Sequence, residues 1–168
     1  MNLFKRTHTC GELNSKENIG DLISLCGWIS KSRDLGGLHF IDLRDRYGKT
    51  QIVFNQEINK DAFETVKKLG LEDVIGIKGL VVERPKEAVN KELITGDIDV
   101  EVSDLYVFNE SEPTPFDINK RQSASEDHRL KYRYLELRTQ ELQQNILIRH
   151  NTAIEVRNTM NDQGFIEV

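Results

Sequence analysis

Between Asp21 and Ser30 the chain alternates, with Ile23, Leu25, Gly27 and Ile29 on one side and Ser24, Cys26, Trp28 and Ser30 on the other. A period of two with one apolar side marks a half-buried strand. A second strand is predicted over Leu38–Asp45, after a Gly36-Gly37 turn. There Ile41 and Leu43 point inward and Phe40, Asp42 and Arg44 outward. His39 shares the inward parity, which is awkward unless the strand proper starts at Phe40. Asp45-Arg46-Tyr47-Gly48 then reads as a hairpin turn with Gly48 at positive φ. Thr50–Asn55 is the third strand, with Ile52 and Phe54 inward and Gln51 and Val53 outward.

The period changes at Lys60–Leu69, where Ala62, Phe63, Val66 and Leu69 follow helical spacing. Strands are predicted again at Val74–Arg84 and, after a loop, at Asp97–Phe108, where Ile98, Val100 and Val102 alternate with Asp97, Asp99 and Glu101. The order β-β-β-α-β-β is that of a mainly β, five-stranded OB-fold Greek-key barrel with one helix between strands 3 and 4. Another small barrel or an α+β sandwich fits the same order.

From Asn109 to Ser125, Pro113, Pro115 and clustered polar residues read as a linker. Ser125 is placed to cap a short helix, and a longer helix is predicted from Thr139 to Asp162. Its apolar stripe is Leu142, Ile146, Ala153, Val156 and Met160, interrupted by Arg149, and Gly164 stands at its C-cap. Phe165–Val168 reads as the start of a strand. The chain thus divides into residues 1–108, a linker or hinge at 109–138, and helical residues 139–168 that read as the truncated start of another domain.

Composition narrows the function. Charged residues make up 30% and hydrophobic ones 38%, which limits the core to a modest size. No apolar run approaches the about 18 residues of a membrane-spanning helix, and the N-terminus lacks the apolar stretch of a signal peptide. Cys10 and Cys26 have no CxxC spacing and read as reduced thiols in a cytoplasm. His8, His39, His128 and His150 are scattered, so no structural zinc is expected. A net charge of −5 argues against holding nucleic acid by bulk electrostatics. From Lys31 to Lys49, however, five cations (Lys31, Arg33, Arg44, Arg46, Lys49) stand against three anions (Asp34, Asp42, Asp45), a local +2. That island fits a solvated face and a phosphate-binding patch equally.

No Walker-type glycine loop, GxSxG or HExxH is present, so the chemistry to look for is recognition. Phe40, Gln51 and several charges sharing an outer face fit the reading of single-stranded RNA, by stacking on a ring and hydrogen-bonding base edges. The plainer alternatives are core packing for Phe40 and simple solvent exposure for Gln51.

The run from Gly27-Trp28-Ile29-Ser30 through Arg33-Asp34-Leu35-Gly36-Gly37 to Gln51-Ile52-Val53-Phe54, and Thr95-Gly96-Asp97-Ile98-Asp99-Val100, strongly resemble the anticodon-binding domain of bacterial-type aspartyl-tRNA synthetases. Arg129-Leu130-Lys131-Tyr132-Arg133-Tyr134-Leu135-Glu136-Leu137-Arg138 is similar to the segment leading into that family's class II catalytic domain, and Gly164–Val168 to the opening of its motif 1. The resemblance implies the OB-fold and an anticodon-binding role, within an enzyme that joins L-aspartate to tRNA-Asp in two ATP-dependent steps. It implies ATP and Mg²⁺ as the cofactors of the parent enzyme, a cytoplasmic homodimer, and no cofactor, metal or catalytic residue in this stretch, which is expected to be monomeric alone. Residue by residue, it implies that Phe40 stacks on an anticodon base and that Arg33 and Gln51 read bases and backbone. It puts Asp99 in the place of a base-accepting carboxylate, lines the same cleft with Asn90 and Arg84, and leaves Lys31 to a phosphate.

Three departures stand out. Asp99 is a methylene shorter than the family's usual Glu, Ser32 interrupts a run of cations, and Val53 replaces an aromatic seen in some relatives. Leu35, in the Arg-Asp-x-Gly turn, points to a parent restricted to tRNA-Asp. The lysyl and asparaginyl enzymes use the same barrel but lack the Arg-Asp-Leu-Gly and Lys-Tyr-Arg-Tyr-Leu-Glu-Leu-Arg combination. A free-standing OB-fold binder of single-stranded nucleic acid has no need of residues 129–168.

Overall fold

The alternating segments form strands because each has one apolar side to bury, and in the computed structural model, which describes residues 4–13 and 17–168, they close on themselves. The strands are β1 (Leu22–Asp34), β2 (Leu38–Arg44), β3 (Lys49–Asn55), β4 (Val74–Glu83) and β5 (Ile98–Asn109), arranged as a closed barrel in the order β1-β2-β3-β5-β4. All neighbours are antiparallel except β3 and β5. Helix α1 (Lys60–Val66) lies between β3 and β4 in the chain and begins at Asn59, whose side chain accepts from the Ala62 N–H. The inward residues Ile23, Leu25, Ile29, Ile41, Leu43, Ile52, Phe54, Ile75, Ile77, Ile98 and Val100 join Phe63 and Val66 in one core. The OB-fold barrel is therefore formed, with its helix where the spacing put it.

Several local expectations are corrected. β1 continues four residues past Ser30, because Lys31–Asp34 pair with His39–Asp42 beyond an irregularity at Ser30. His39 lies within β2 and points inward, 5% exposed, its ring Nε2 2.7 Å from the Ser32 hydroxyl. That partner offsets part of the cost of burying a polar ring. Gln51 and Val53 keep the outward parity but are covered, at 9% and 8% exposure, because neighbouring strands carry long side chains across them. Gly48 does not take positive φ; the left-handed glycine beside β2 is Gly36 at +82°. Gly48 is needed for space, since a Cβ there would stand 2.8 Å from the Gly11 Cα. Helix α1 closes at Val66, leaving Leu69 packed partly buried against the core.

The chain separates into two compact units, Met1–Pro113 and Thr114–Val168. In the second, a 3₁₀ segment (Ile118–Ser123) precedes α2 (Glu126–Lys131), α3 (Arg133–Glu136) and α4 (Gln140–Asp162). Ser125 caps α2 through the His128 N–H. Phe116, Ile118 and Leu135 form a small core with Ala124 and Tyr132 packed on it. Gly164, at φ +84°, ends α4 by turning its own N–H and that of Phe165 onto the Asn161 and Met160 carbonyls. Of the expected stripe only Leu142 is buried; Ile146, Val156 and Met160 are exposed, as are Leu147 and Ile148 off the stripe. Apolar residues thus surround α4 rather than marking one face. Phe165–Val168 form no strand, for no neighbour among the described residues offers them a ladder. No described helix is long and apolar enough to cross a membrane.

Candidate nucleic-acid interface

The outer side of the barrel is built by parity and register together. Beyond Ser30, Lys31 and Arg33 stand opposite Asp42 and Phe40. Those two stand opposite Gln51 and Val53 on β3. β5 runs parallel to β3 with Ile52 beside Val100, which brings Asp99 next to Gln51. Arg84, just past the end of β4, reaches back over the same face.

Four of the residues singled out from the sequence are joined in one line of hydrogen bonds. Arg33 Nη2 donates to Gln51 Oε1 at 2.7 Å, and Gln51 Nε2 donates to Asp99 Oδ1 at 2.9 Å. Arg84 donates to the same Oδ1 through Nε at 3.0 Å and Nη2 at 2.7 Å. An arginine can only donate and a carboxylate only accept, so the Gln51 amide has a single orientation. Three donors converge on Asp99 Oδ1 and none on Oδ2 among the described residues. Nor do Nε and Nη1 of Arg33 bond to any described residue; its Nη2 is shared with Asp42 Oδ1 at 3.2 Å. The line therefore ends in an open acceptor at Asp99 and open donors at Arg33.

Burial sets the electrostatics. The Arg84 and Asp99 side chains are only 3% and 11% exposed, and Arg84 Nη2 also donates to the Ile98 carbonyl. Burial pushes the Asp99 carboxyl above its ordinary value, with the Arg84 charge, hydrogen bonds from Arg84 and Gln51, and the Arg33 charge pulling the other way. Removing one member of such a buried pair strands the other and costs about 3–5 kcal/mol. Arg84 is thus committed to holding Asp99.

The other expected residues stand around this line. Phe40 is half-buried in the row beside it, between Arg33 and Val53. Lys31 is exposed beside Asp42. Asn90 does not join the line; its side chain accepts from the Glu92 N–H within its own loop, and its backbone N–H donates to the Gly96 carbonyl. Two contributors were not anticipated. Asp42, which holds Arg33, was legible as outward by parity, but its partner required the register. Thr95 pins the β4–β5 loop to β3 through a 2.7 Å bond to the Lys49 carbonyl, and nothing in a loop threonine signals that. Among the described residues no cluster of His, Cys, Asp and Glu is placed to hold a metal ion.

Comparison with known proteins gives the chain a family. Residues 23–107 match the OB-fold nucleic acid binding domain, and residues 125–168 match the class II tRNA synthetases of the D, K and N group. An aspartate–tRNA(Asp/Asn) ligase from Caldanaerobacter subterraneus is 45% identical over 98% of this chain and 28% of its own length. An aspartate–tRNA ligase from Bacteroides thetaiotaomicron is 48% identical over 97% of this chain and 27% of its own. The chain spans about 28% of the length of such curated relatives. Among solved structures, the asparaginyl-tRNA synthetase from Pyrococcus horikoshii bound to asparaginyl-adenylate superimposes with a TM-score of 0.83 at 25% identity, over 99% of this chain and 36% of that one. A putative aspartyl-tRNA synthetase from Leishmania major Friedlin gives 0.86 at 20% identity, over 99% and 34%, a likeness of fold. The chain belongs to the OB-fold nucleic acid binding domain family, in the form carried by the aspartate–tRNA ligases that it matches along nearly its whole length.

Proposed function

We propose that this chain is the anticodon-reading part of an aspartate–tRNA ligase, and that its ligand is the anticodon loop of tRNA-Asp. The observation that carries the reading is the line Arg33–Gln51–Asp99–Arg84, which holds an open carboxylate oxygen, an oriented amide and open guanidinium donors on one strand face. Unpaired bases present donors and acceptors on their edges, and groups fixed beforehand meet them without further ordering cost. Asp99 Oδ2 accepts from a base edge, Gln51 keeps a second N–H for an adjacent acceptor, and Arg33 reaches base or phosphate. Phe40 supplies the stacking ring and Lys31 a phosphate contact. Arg84 acts through Asp99, while Asn90 lines the cleft from the loop. Leu35, exposed in the β1–β2 turn, is the residue whose resemblance favours a parent restricted to tRNA-Asp.

On this reading the whole enzyme is a cytoplasmic homodimer that charges tRNA-Asp with L-aspartate. ATP and Mg²⁺ serve class II motifs outside these residues. The test is titration of the chain with labelled anticodon stem–loops. Wild type should prefer the Asp anticodon over a scrambled one, and Gln51→Ala should erase that preference. Equal wild-type binding to both loops would sink the reading.

A further inference from the structure

The basic island has a second half that the base-reading line does not use. Past Arg44, the turn between β2 and β3 is held from several sides. Asp45 Oδ1 accepts the Tyr47 and Gly48 N–H groups at 2.7 and 3.0 Å, and Oδ2 accepts the Cys10 N–H at 2.8 Å. The Asp45 N–H donates to the Gly48 carbonyl, and Thr50 Oγ1 donates to the Cys10 carbonyl at 2.6 Å. Gly11 packs flat on the turn, where a Cβ would lie 2.3 Å from the Tyr47 backbone carbonyl oxygen.

What this rigid turn displays is an aromatic ring with no part in the core. Tyr47 is 57% exposed, with the Arg6 and Arg46 guanidinium carbons 5.8 and 5.9 Å from its ring centroid. Asp45, the nearby anion, spends its carboxylate on backbone and lies 3.9 Å from Arg6. Arg46 is exposed and forms no ion pair or hydrogen bond with any described residue. Tyr47 stands in the turn four positions before Gln51, within about 13 Å of it at the rise of a strand, with Lys49 between them at the outward parity. A ring held open between cations is the arrangement by which proteins stack a base and meet its phosphates.

We propose that the β2–β3 turn is a second RNA-contact site, where the Tyr47 ring stacks on a nucleotide flanking the bases read at Gln51 and Asp99 while Arg46 and Arg6 meet its phosphates. It rests on the anticodon reading above. Its contribution carries no sequence information, and that separates the two in experiment.

The chain is titrated with the same cognate and scrambled stem–loops over a series of salt concentrations. Tyr47→Ala should weaken both complexes equally, by roughly 5- to 150-fold, with Tyr47→Phe close to wild type. Arg46→Gln should weaken both and lower the slope of log K against log salt by about 0.7–0.9, the share of one phosphate contact. Cognate-over-scrambled preference should survive in all three. Wild-type affinity and salt slope in both Tyr47→Ala and Arg46→Gln, with Gln51→Ala still losing preference, would overturn this site and leave the anticodon reading standing. If Tyr47→Ala does not fold, Arg46→Gln decides, since the Arg46 side chain is exposed and makes no ion pair or hydrogen bond with a described residue. A wild-type chain that binds neither RNA overturns both readings.

Discussion

Phe40 and His39 are neighbours on β2 and have opposite fates. Alternation sends Phe40 outward, half-buried in the row beside Gln51, and His39 inward to 5% exposure. Phe40→Ala should weaken stem–loop binding by about 1–3 kcal/mol, the range for one base–aromatic stack, and leave the fold intact. Loss of the fold in that variant, read by circular dichroism, would show that the ring serves the core. Among the described residues His39 Nδ1 has no partner, and burial drives the pKa of its ring below the ordinary 6.5, with Asp34 opposing and Lys67 assisting. Above about 6.5 the imidazole is neutral in both folded and unfolded chains. Below it the unfolded chain takes up a proton that the folded one resists, so stability falls as pH drops toward the folded value. Thermal unfolding at pH 7.5 and 5.0 should show a larger loss in wild type than in His39→Gln, and equal losses would refute the role given to His39.

Among the elements, the short helices α2 and α3 have little apolar contact and are organised around a charge. Glu136 is 1% exposed and accepts from Arg121 Nε at 2.8 Å, Arg129 Nη1 at 3.0 Å and Arg133 Nη1. Burial works to raise its pKa, yet the bonds from Arg121 and Arg133 prevail and hold it below the ordinary carboxylate value. Without that charge three guanidinium groups face one another. Glu136→Gln should therefore destabilise the second unit by about 3 kcal/mol. Hydrogen exchange should quicken across residues 116–137 while the barrel strands stay protected, and unchanged exchange in α3 would contradict this. The sequence announced α2 through Ser125, but neither α3 nor the centre that the two share. A lone glutamate amid arginines reads as a solvated helix surface until the turns at Ser123–Glu126 and Tyr132 bring Arg121 and Arg129 to it.

For the molecule as a whole, the reading assigns recognition to this chain and chemistry to motifs outside it. It should show no ATP–pyrophosphate exchange with aspartate, and aspartate should leave its melting temperature unchanged, because a ligand that does not bind cannot stabilise a fold. Measurable adenylate formation would refute that division. The barrel was legible because each strand must bury one side: the alternations at Ile23–Ile29, Ile41–Leu43 and Ile98–Val102 announce inward faces without reference to any partner. The resemblance then supplied Arg33, Gln51, Asp99 and Arg84 one by one, as separate contacts to RNA. Only tertiary structure joined them, through the parallel placement of β5 beside β3 and the return of Arg84 over Asp99. The same holds for the space that demands glycine at position 48 and for the exposure of Tyr47 between two arginines. Local sequence encodes which side of a strand is apolar, because that depends on the residue and its nearest neighbours. Register between distant strands depends on how the whole barrel closes, and it decides which polar groups satisfy one another and which stay open for a ligand.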